Sequence, residues 1–265
     1  MENTCQNCNH AITENFCTNC GQKKFKRIDK KYVLDEIQYT LLHTNKGLFY
    51  SIKKILKSPG KTAREYIEGN RVNHYKPILL IFLLSGISAF ISYKLLGFAE
   101  IIKSLNNQKY GNSKVMADIM SALSNYNAIF MLLLLPIFAI TTKLAFKKWG
   151  NNYYEHIVMN CYILSAYTLV CMILVYPIMF FLKGTPDSFF TISQISFLIV
   201  PFILIWFFKG YYPDKPLKSI VFRSLAAIGM FATFYVVVIF GITILLVVYA
   251  MTTNNPELLK YFQPK

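Results

Sequence analysis

Long runs of apolar residues recur along the chain from residue 78 onwards, and polar turns separate them. The runs cover about 78–98, 127–146, 157–182, 189–208 and 219–250. A helix needs about 20 predominantly apolar residues to cross a hydrocarbon core about 30 Å thick. The pattern predicts an all-α polytopic membrane protein. Residues 78–250 would form a bundle of about five transmembrane helices, and residues 251–265 a short tail.

A shorter helical pattern precedes the first run. Residues 48–57 carry one apolar stripe and place lysines on the remaining faces. The stripe consists of Leu48, Ile52, Ile55 and Leu56. Pro59-Gly60 ends this helix, and residues 61–68 form a second short helix that Gly69 closes.

Both short helices belong to a segment, residues 23–77, that begins as a basic linker after residues 1–22. We expect them to be amphipathic juxtamembrane helices that lie on the inner leaflet with the stripe buried in it. The competing picture is a small soluble core that the stripe forms with Leu34, Ile37 and Leu41.

Composition supports a membrane protein. Of 265 residues, 54% are hydrophobic and only 15% are charged, whereas an ordinary soluble domain carries about 25% charged residues. This balance excludes a disordered, collagen-like or small disulfide-stapled chain. The first 30 residues are polar and contain no apolar stretch of the kind that a secretory signal peptide needs.

The formal charge of +15 is distributed unevenly. With five spans and a cytoplasmic N-terminus, 21 basic residues fall on the inside and 7 on the outside. This bias predicts a multi-pass membrane protein with its N-terminus in the cytoplasm and its C-terminus outside. Topology explains the basic N-terminus, so we expect the lipid bilayer and anionic head groups as its partners, and no nucleic acid.

Two Cys-x-x-Cys pairs stand close together near the N-terminus. They are Cys5/Cys8 and Cys17/Cys20. Each pair can form a knuckle whose two sulfurs bind one ion, and two knuckles complete a tetrahedral shell of four thiolates. Asn9 and Gly21 suit the left-handed turns that follow such knuckles. The spacing predicts a zinc ribbon with one structural zinc per chain; disulfides and an iron–sulfur cluster are the alternatives.

The stretch from Pro59 to Pro77 has two interpretations. In one it is a juxtamembrane adaptor, in which Arg64 and Glu68 pair at i,i+4 and Arg71, His74 and Lys76 meet lipid phosphates. In the other it forms a specific pocket for a phosphate or lipid head group. That pocket would use Arg64, Arg71 and Lys76.

The apolar runs carry few polar groups, and no aspartate or glutamate stands at mid-span. His156 is expected at the cytosolic interface, and Asn160 and Gln194 are expected to bond between helices. Pro136, Pro177 and Pro201 should kink or end their helices. No nucleophile–base pair or metalloprotease motif is present in the sequence, which disfavours an enzyme.

Three strings together carry a resemblance to a known family. They are Phe16-Cys17-Thr18-Asn19-Cys20-Gly21-Gln22, His43-Thr44-Asn45-Lys46-Gly47-Leu48, and the Pro59–Pro77 stretch with Arg64-Glu65-Tyr66 and Gly69-Asn70-Arg71. They resemble an uncharacterised membrane-protein family typical of Bacteroidota, domain-of-unknown-function family 3667. The resemblance implies an N-terminal ribbon followed by several spans, and it brings no activity with it. Five spans after a cytosolic N-terminus are also similar in topology to the Yip family of membrane-trafficking proteins, which by itself transfers no function.

These observations favour a non-enzymatic membrane scaffold or adaptor that recruits a cytosolic protein through its ribbon or organises lipid. A transporter, channel or lipid-handling protein with a pathway between kinked helices is the alternative, and an enzyme acting on lipid is a third. The sequence leaves the substrate, the protein partner and the oligomeric state open.

Overall fold

The computed structural model describes residues 4–5, 7–21, 47–71, 73–101, 104 and 126–253. Most of the predicted basic linker, including Leu34, Ile37 and Leu41, and most of the tail lie outside these residues. The described part is mostly helical and contains no strand, apart from one β-bridge between Thr4 and Ala11. The predicted all-α class is confirmed.

Two short helices and then the long apolar helices follow one another along the chain. The short ones are α1 (Gly47–Lys57) and α2 (Pro59–Ile67). The apolar ones are α3 (Pro77–Phe90), α4 (Asn127–Phe146), α5 (Tyr153–Val170), α6 (Tyr176–Phe181), α7 (Pro186–Ile195), α8 (Ile199–Tyr211) and α9 (Leu217–Thr253).

Irregular turns interrupt several rods without ending them. A π-helical turn, Ile91–Leu95, extends α3, and another, Cys171–Val175, joins α5 to α6 just before Pro177. A 3₁₀ turn, Ser196–Leu198, joins α7 to α8 two residues before Pro201. Proline has no N–H for the helical ladder, so a local change of helical pitch before it is the expected accommodation.

Four helical rods in the described residues are long and apolar enough to cross a membrane. They are Pro77–Leu95, Tyr153–Phe181, Pro186–Tyr211 and Leu217–Leu245. The second predicted span is the 20-residue helix α4, which is not one of these four. The predicted helical membrane bundle is confirmed, and its count of five is approximate.

Helix α5 lies at the centre of the bundle. It packs against α1, α2, α3, α4 and α8. Its first turn is fixed by a capping box, in which Asn152 Oδ1 accepts from the Glu155 N–H and Glu155 Oε2 accepts from the Asn152 N–H, each at 2.9 Å. The main core around it includes Phe146, Met159, Tyr162, Phe207 and Phe208.

The outer face of the bundle is apolar rather than polar. Phe181, Phe202 and Phe222 each expose more than 70% of their surface. Helix α9 packs on α4 and α8, while the side chains described from Phe234 to Tyr249 are exposed. Large exposed apolar surfaces of this kind are consistent with contact to lipid.

Candidate functional site

The four N-terminal cysteines converge on one point. The Sγ atoms of Cys5 and Cys20 lie 3.5 Å apart, and those of Cys8 and Cys17 lie 3.6 Å apart. All four sulfurs lie within 4.8 Å of one another. Cys5 and Cys17 are buried and pack with Ile12 in a small core of their own. The two Cys-x-x-Cys pairs therefore face each other, as their spacing predicted.

The two knuckles have the same backbone form. In the first, the Asn9 N–H donates to the Cys5 carbonyl at 2.9 Å; in the second, the Gly21 N–H donates to the Cys17 carbonyl at 2.9 Å. Asn9 and Gly21 adopt φ values of 57° and 74°. The left-handed turns that the sequence predicted after each pair are confirmed, and they turn both pairs of sulfurs inward.

The donor set suits a soft metal ion. A tetrahedral ion with metal–sulfur bonds of ~2.3 Å holds its four sulfurs about 3.8 Å apart. This separation is close to the Sγ–Sγ distances of the Cys5–Cys20 and Cys8–Cys17 pairs. No disulfide joins any of the six cysteines, all of which the structure describes. His10 is exposed, and its carbonyl accepts from the Cys5 N–H at 2.8 Å. Four cysteines thus lie close enough to hold one metal ion.

The second feature is a platform formed by α1, α2 and residues 73–76, which packs on the end of the bundle. Helix α2 contacts α8 and α5. Gly60 makes the closest approach, because a β-carbon at this position would lie 1.9 Å from the Phe207 carbonyl oxygen and 2.5 Å from the Tyr211 nitrogen. Both are backbone atoms that cannot rotate away. Only glycine permits this contact between α2 and α8.

The apolar stripe of α1 also faces the protein. Ile55 is fully buried in the main core, and Leu48 and Ile52 pack against that core. Leu56 alone is exposed, at 38%. We expected the stripe to be buried in the inner leaflet, and this was wrong for Ile55, whose side chain has no exposed surface. The bundle offers a closer apolar surface than lipid does, because α1 folds back onto α5.

Polar bonds tie the parts of the platform together. Thr62 Oγ1 donates to the Ser58 carbonyl at 2.8 Å and to the Lys54 carbonyl, in the last turn of α1, at 3.2 Å. The Tyr75 N–H donates to Ser51 Oγ at 2.8 Å. Ser51 and Thr62 are both buried. Because these bonds join α1 to α2 and to the approach of α3, the platform is one packed unit.

His74 and Glu65 contact each other inside the platform, beside Lys54. His74 Nε2 is 3.4 Å from Glu65 Oε2, and Lys54 Nζ is 3.9 Å from the same oxygen. The His74 side chain has no exposed surface, and its ring lies 5.9 Å from that of Tyr50. We expected His74 to meet lipid phosphates, and this was wrong. Glu65 stands nine positions before His74 in the sequence, a spacing that by itself does not predict a contact. Only the fold places this carboxylate beside the imidazole.

The three predicted head-group residues lie in different surroundings on this platform. Arg64 pairs with Glu68 at 3.9 Å, which confirms the predicted i,i+4 contact. Arg71 donates to the Tyr66 carbonyl at 3.4 Å and lies over the Tyr66 ring at 5.8 Å. Lys76 is exposed and immediately precedes α3. Burial raises the pKa of Tyr66, and the Arg71 charge opposes that rise.

Inside the bundle, α5 buries several polar side chains, and two of them, His156 and Asn160, lie one turn apart. Asn160 Nδ2 donates to Thr142 Oγ1 of α4 at 2.8 Å, so the predicted interhelical bond of Asn160 is confirmed. Gln194 is exposed. His156, which we expect at the cytosolic interface, lies in the first turn of α5 and is fully buried by the protein. Within the described residues, neither of its ring nitrogens has a hydrogen-bond partner.

A second polar cluster, which sequence reasoning missed, joins the two turns at this end of the bundle. Asn151 Nδ2 donates to the Tyr211 hydroxyl at 3.0 Å and to Glu155 Oε2 at 2.8 Å, and the Tyr212 hydroxyl donates to Asn151 Oδ1 at 2.6 Å. Burial, followed by the neighbouring Tyr211 and Glu155, raises the pKa of Tyr212. These residues are about 60 positions apart, and only packing brings them together.

Residues 45–89 match a family described as protein of unknown function, DUF3667. The match covers α1, α2 and α3, so the shared segment is the platform and the first span. Comparisons with curated proteins and with solved structures found no match.

Proposed function

We propose that this chain, whose residues 45–89 match the DUF3667 family, is a non-enzymatic membrane scaffold. In this proposal its N-terminal ribbon recruits a cytosolic protein and its platform holds that ribbon at one end of the bundle. The observation that carries the proposal is the contact of Gly60 with the α8 backbone. It makes the platform, which is the described part of the chain just before the first span, a packed part of the bundle.

A fixed platform suits a scaffold better than a loose tether does. Ile55 of α1 and Ala63 of α2 are fully buried in the same core as Phe207 of α8. Ser51 and Thr62, whose hydroxyl groups form the polar bonds of the platform, are buried as well. A partner bound near such a platform is therefore held at a defined place on the membrane, because less conformational freedom remains to be lost when the complex forms.

We further propose zinc as the ion of the cysteine cluster. Cys5, Cys8, Cys17 and Cys20 would supply four thiolates, the donor set of a closed structural site. Such an ion would stabilise the ribbon fold, since a segment of this size has little core of its own. The ribbon would then present a rigid surface to a protein partner. A closed shell leaves no coordination position for a substrate.

The platform also suits contact with anionic head groups. Arg64, Arg71 and Lys76 lie on the segment that leads into α3, and Lys76 is exposed at its start. Basic residues near anionic lipid contribute about 1 kcal/mol each. In the proposed arrangement these three residues orient the platform against the inner leaflet of the bacterial cytoplasmic membrane.

Metal content and cross-linking together test the scaffold function. Purified full-length protein should carry about one zinc per chain, and Cys17→Ser with Cys20→Ser should lose it. In cells, cross-linking should capture a cytosolic protein on the wild type and not on this double variant, while both insert in the membrane. Asn19→Ser, which changes a spacer of the same knuckle, should keep the metal and the captured protein.

Both the metal measurement and the cross-linking experiment have outcomes that would contradict the proposal. Iron, or no metal, in freshly purified reduced protein would exclude a zinc site. Equal capture of the partner by the double variant would show that the ribbon does not recruit it. If no cytosolic protein is captured at all, the scaffold function is wrong.

The orientation is tested separately. In intact cells an impermeant thiol reagent should label a cysteine placed at Lys109 or Lys260 and should not reach one placed at Lys148 or Lys215. Lys148 and Lys215 are both exposed at the ends of described helices. Labelling at Lys215 but not at Lys260 would reverse the proposed topology.

A further inference from the structure

A cavity opens beside the end of α8, where the chain turns into α9. Its volume is about 440 Å³, within the range of roughly 300–1,000 Å³ typical of ligand cavities. It is lined by Phe202, Ile205, Trp206, Lys209, Gly210 and Leu217. Apart from Lys209, every side chain in this lining is apolar or absent. The cavity suits an apolar ligand that has a charged or polar end.

The cavity lies at the boundary of the apolar span rather than inside the bundle. Phe202 and Leu217 are 73% and 53% exposed. They belong to two helices that are each long and apolar enough to cross a membrane, Pro186–Tyr211 and Leu217–Leu245. Trp206 has the amphipathic ring that is favoured where hydrocarbon meets head groups. In a membrane, helices of this length and composition would place the apolar wall against acyl chains and the Lys209 end in the polar region of the bilayer.

The polar end of the cavity is basic. Lys209 Nζ donates to the carbonyls of Pro213 and Lys215, at 2.7 and 3.1 Å, so the turn holds its ammonium in place. An ammonium has three donors, and these two bonds leave one for a ligand. Lys218 follows Leu217 directly, and Lys61 is exposed beside Gly210. Residues 209–218 contain three lysines and a single acid, Asp214.

We propose that this cavity binds one anionic phospholipid, with an acyl chain along Phe202, Ile205 and Trp206 and the phosphate at Lys209. Lys218 and Lys61 add positive charge around the head group. The apolar wall alone would accept any lipid, so the preference for an anionic one comes from the lysines. This site uses residues that neither the ribbon nor the predicted head-group contacts involve.

Trp206 reports directly on the site. The chain has two tryptophans, so Trp149→Phe leaves Trp206 as the sole tryptophan of the full-length protein. The variant is reconstituted in phosphatidylcholine vesicles that contain increasing fractions of phosphatidylglycerol with brominated acyl chains, since bromine quenches indole fluorescence on contact. Brominated phosphatidylcholine provides the comparison. Phosphatidylglycerol should reach half-maximal quenching at a several-fold lower fraction than phosphatidylcholine.

Three further variants separate the effect of the lysine charges on lipid binding from the effect of the shape of the cavity. Lys209→Gln with Lys218→Gln should weaken the preference for phosphatidylglycerol by about fivefold for each lysine. Lys147→Gln with Lys148→Gln removes the same charge from exposed positions outside the cavity lining and should leave the preference unchanged. Ile205→Phe keeps both lysines, narrows the cavity with a bulkier side chain, and should reduce quenching by phosphatidylglycerol.

Equal quenching by the two lipids would show ordinary annular contact and overturn the proposal. Unchanged quenching by phosphatidylglycerol in Ile205→Phe would also overturn the proposal. If the double lysine variant does not fold, Ile205→Phe still tests the site. None of these outcomes bears on ribbon cross-linking, so a failure here is distinguishable from a failure of the scaffold function.

Discussion

Gly60 of α2 lies against the carbonyl oxygen of Phe207 in α8, so close that a β-carbon would come within 1.9 Å of it. Gly210, one turn further along α8, faces the same contact: a β-carbon there would lie 3.3 Å from Ser58 Oγ. The two helices meet backbone to backbone. The Pro59-Gly60 pair therefore does more than end α1, because it allows α2 to join the bundle.

The first prediction concerns Gly60→Ala. The added methyl group overlaps backbone atoms of α8, so we expect a loss of about 3 kcal/mol or more, the upper part of the range for overpacking. Thermal unfolding in detergent measures it. Gly86→Ala, in α3, meets no atom within 4 Å and should leave the stability unchanged or raise it by up to about 1 kcal/mol. Equal melting temperatures for the two variants would contradict the contact.

Thr62→Val tests the bonds within the platform. The substitution keeps the shape of a buried side chain and removes its hydrogen bonds to the Ser58 and Lys54 carbonyls. We expect a loss of about 1 kcal/mol, the net contribution of a hydrogen bond, since both carbonyls keep a backbone N–H donor. Thr243→Val is the matched control, because that hydroxyl is exposed and bonds only within its own helix. A larger effect at Thr243 than at Thr62 would refute this account.

Substitution by leucine should have opposite effects on thermal stability at His156 and at Asn160. His156 is buried, and its nitrogens have no hydrogen-bond partner among the described residues, so His156→Leu should keep or raise the melting temperature. Asn160→Leu removes the bond to Thr142 and should cost about 0.6–2 kcal/mol. A loss at His156 that exceeds the loss at Asn160 would show that the imidazole makes an interaction on which the bundle depends.

Tyr212 should make the protein sensitive to alkaline pH. Burial raises its pKa in the folded chain, so the unfolded chain loses this proton first, near pH 10. The contribution of the neutral hydroxyl is present below that pH and decreases as the pH rises towards the folded pKa. Melting temperatures between about pH 8 and 12 should fall less steeply for Tyr212→Phe than for the wild type. Tyr154→Phe, at an exposed position, should leave the slope unchanged.

Local chemistry accounts for what sequence reasoning predicted well. The positive φ angles of Asn9 and Gly21 follow from the geometry of a knuckle turn, which involves only five neighbouring residues. The break between α1 and α2 follows from Pro59 and Gly60, and the apolar rods follow from runs of about 20 residues. Each of these features depends on residues adjacent in the chain, so one sequence suffices to predict it.

The sequence by itself thus determined the helical membrane class, the cysteine knuckles and the existence of two short helices before the first span. Only the tertiary structure decided which surfaces those elements meet. Either lipid or protein can bury an apolar stripe. In this fold the bundle buries Ile55. Likewise, Glu65 with His74 and the cavity beside Trp206 bring together residues whose positions depend on how helices cross. Hydrophobic periodicity specifies that a face is buried, and it contains no information about the partner that buries it.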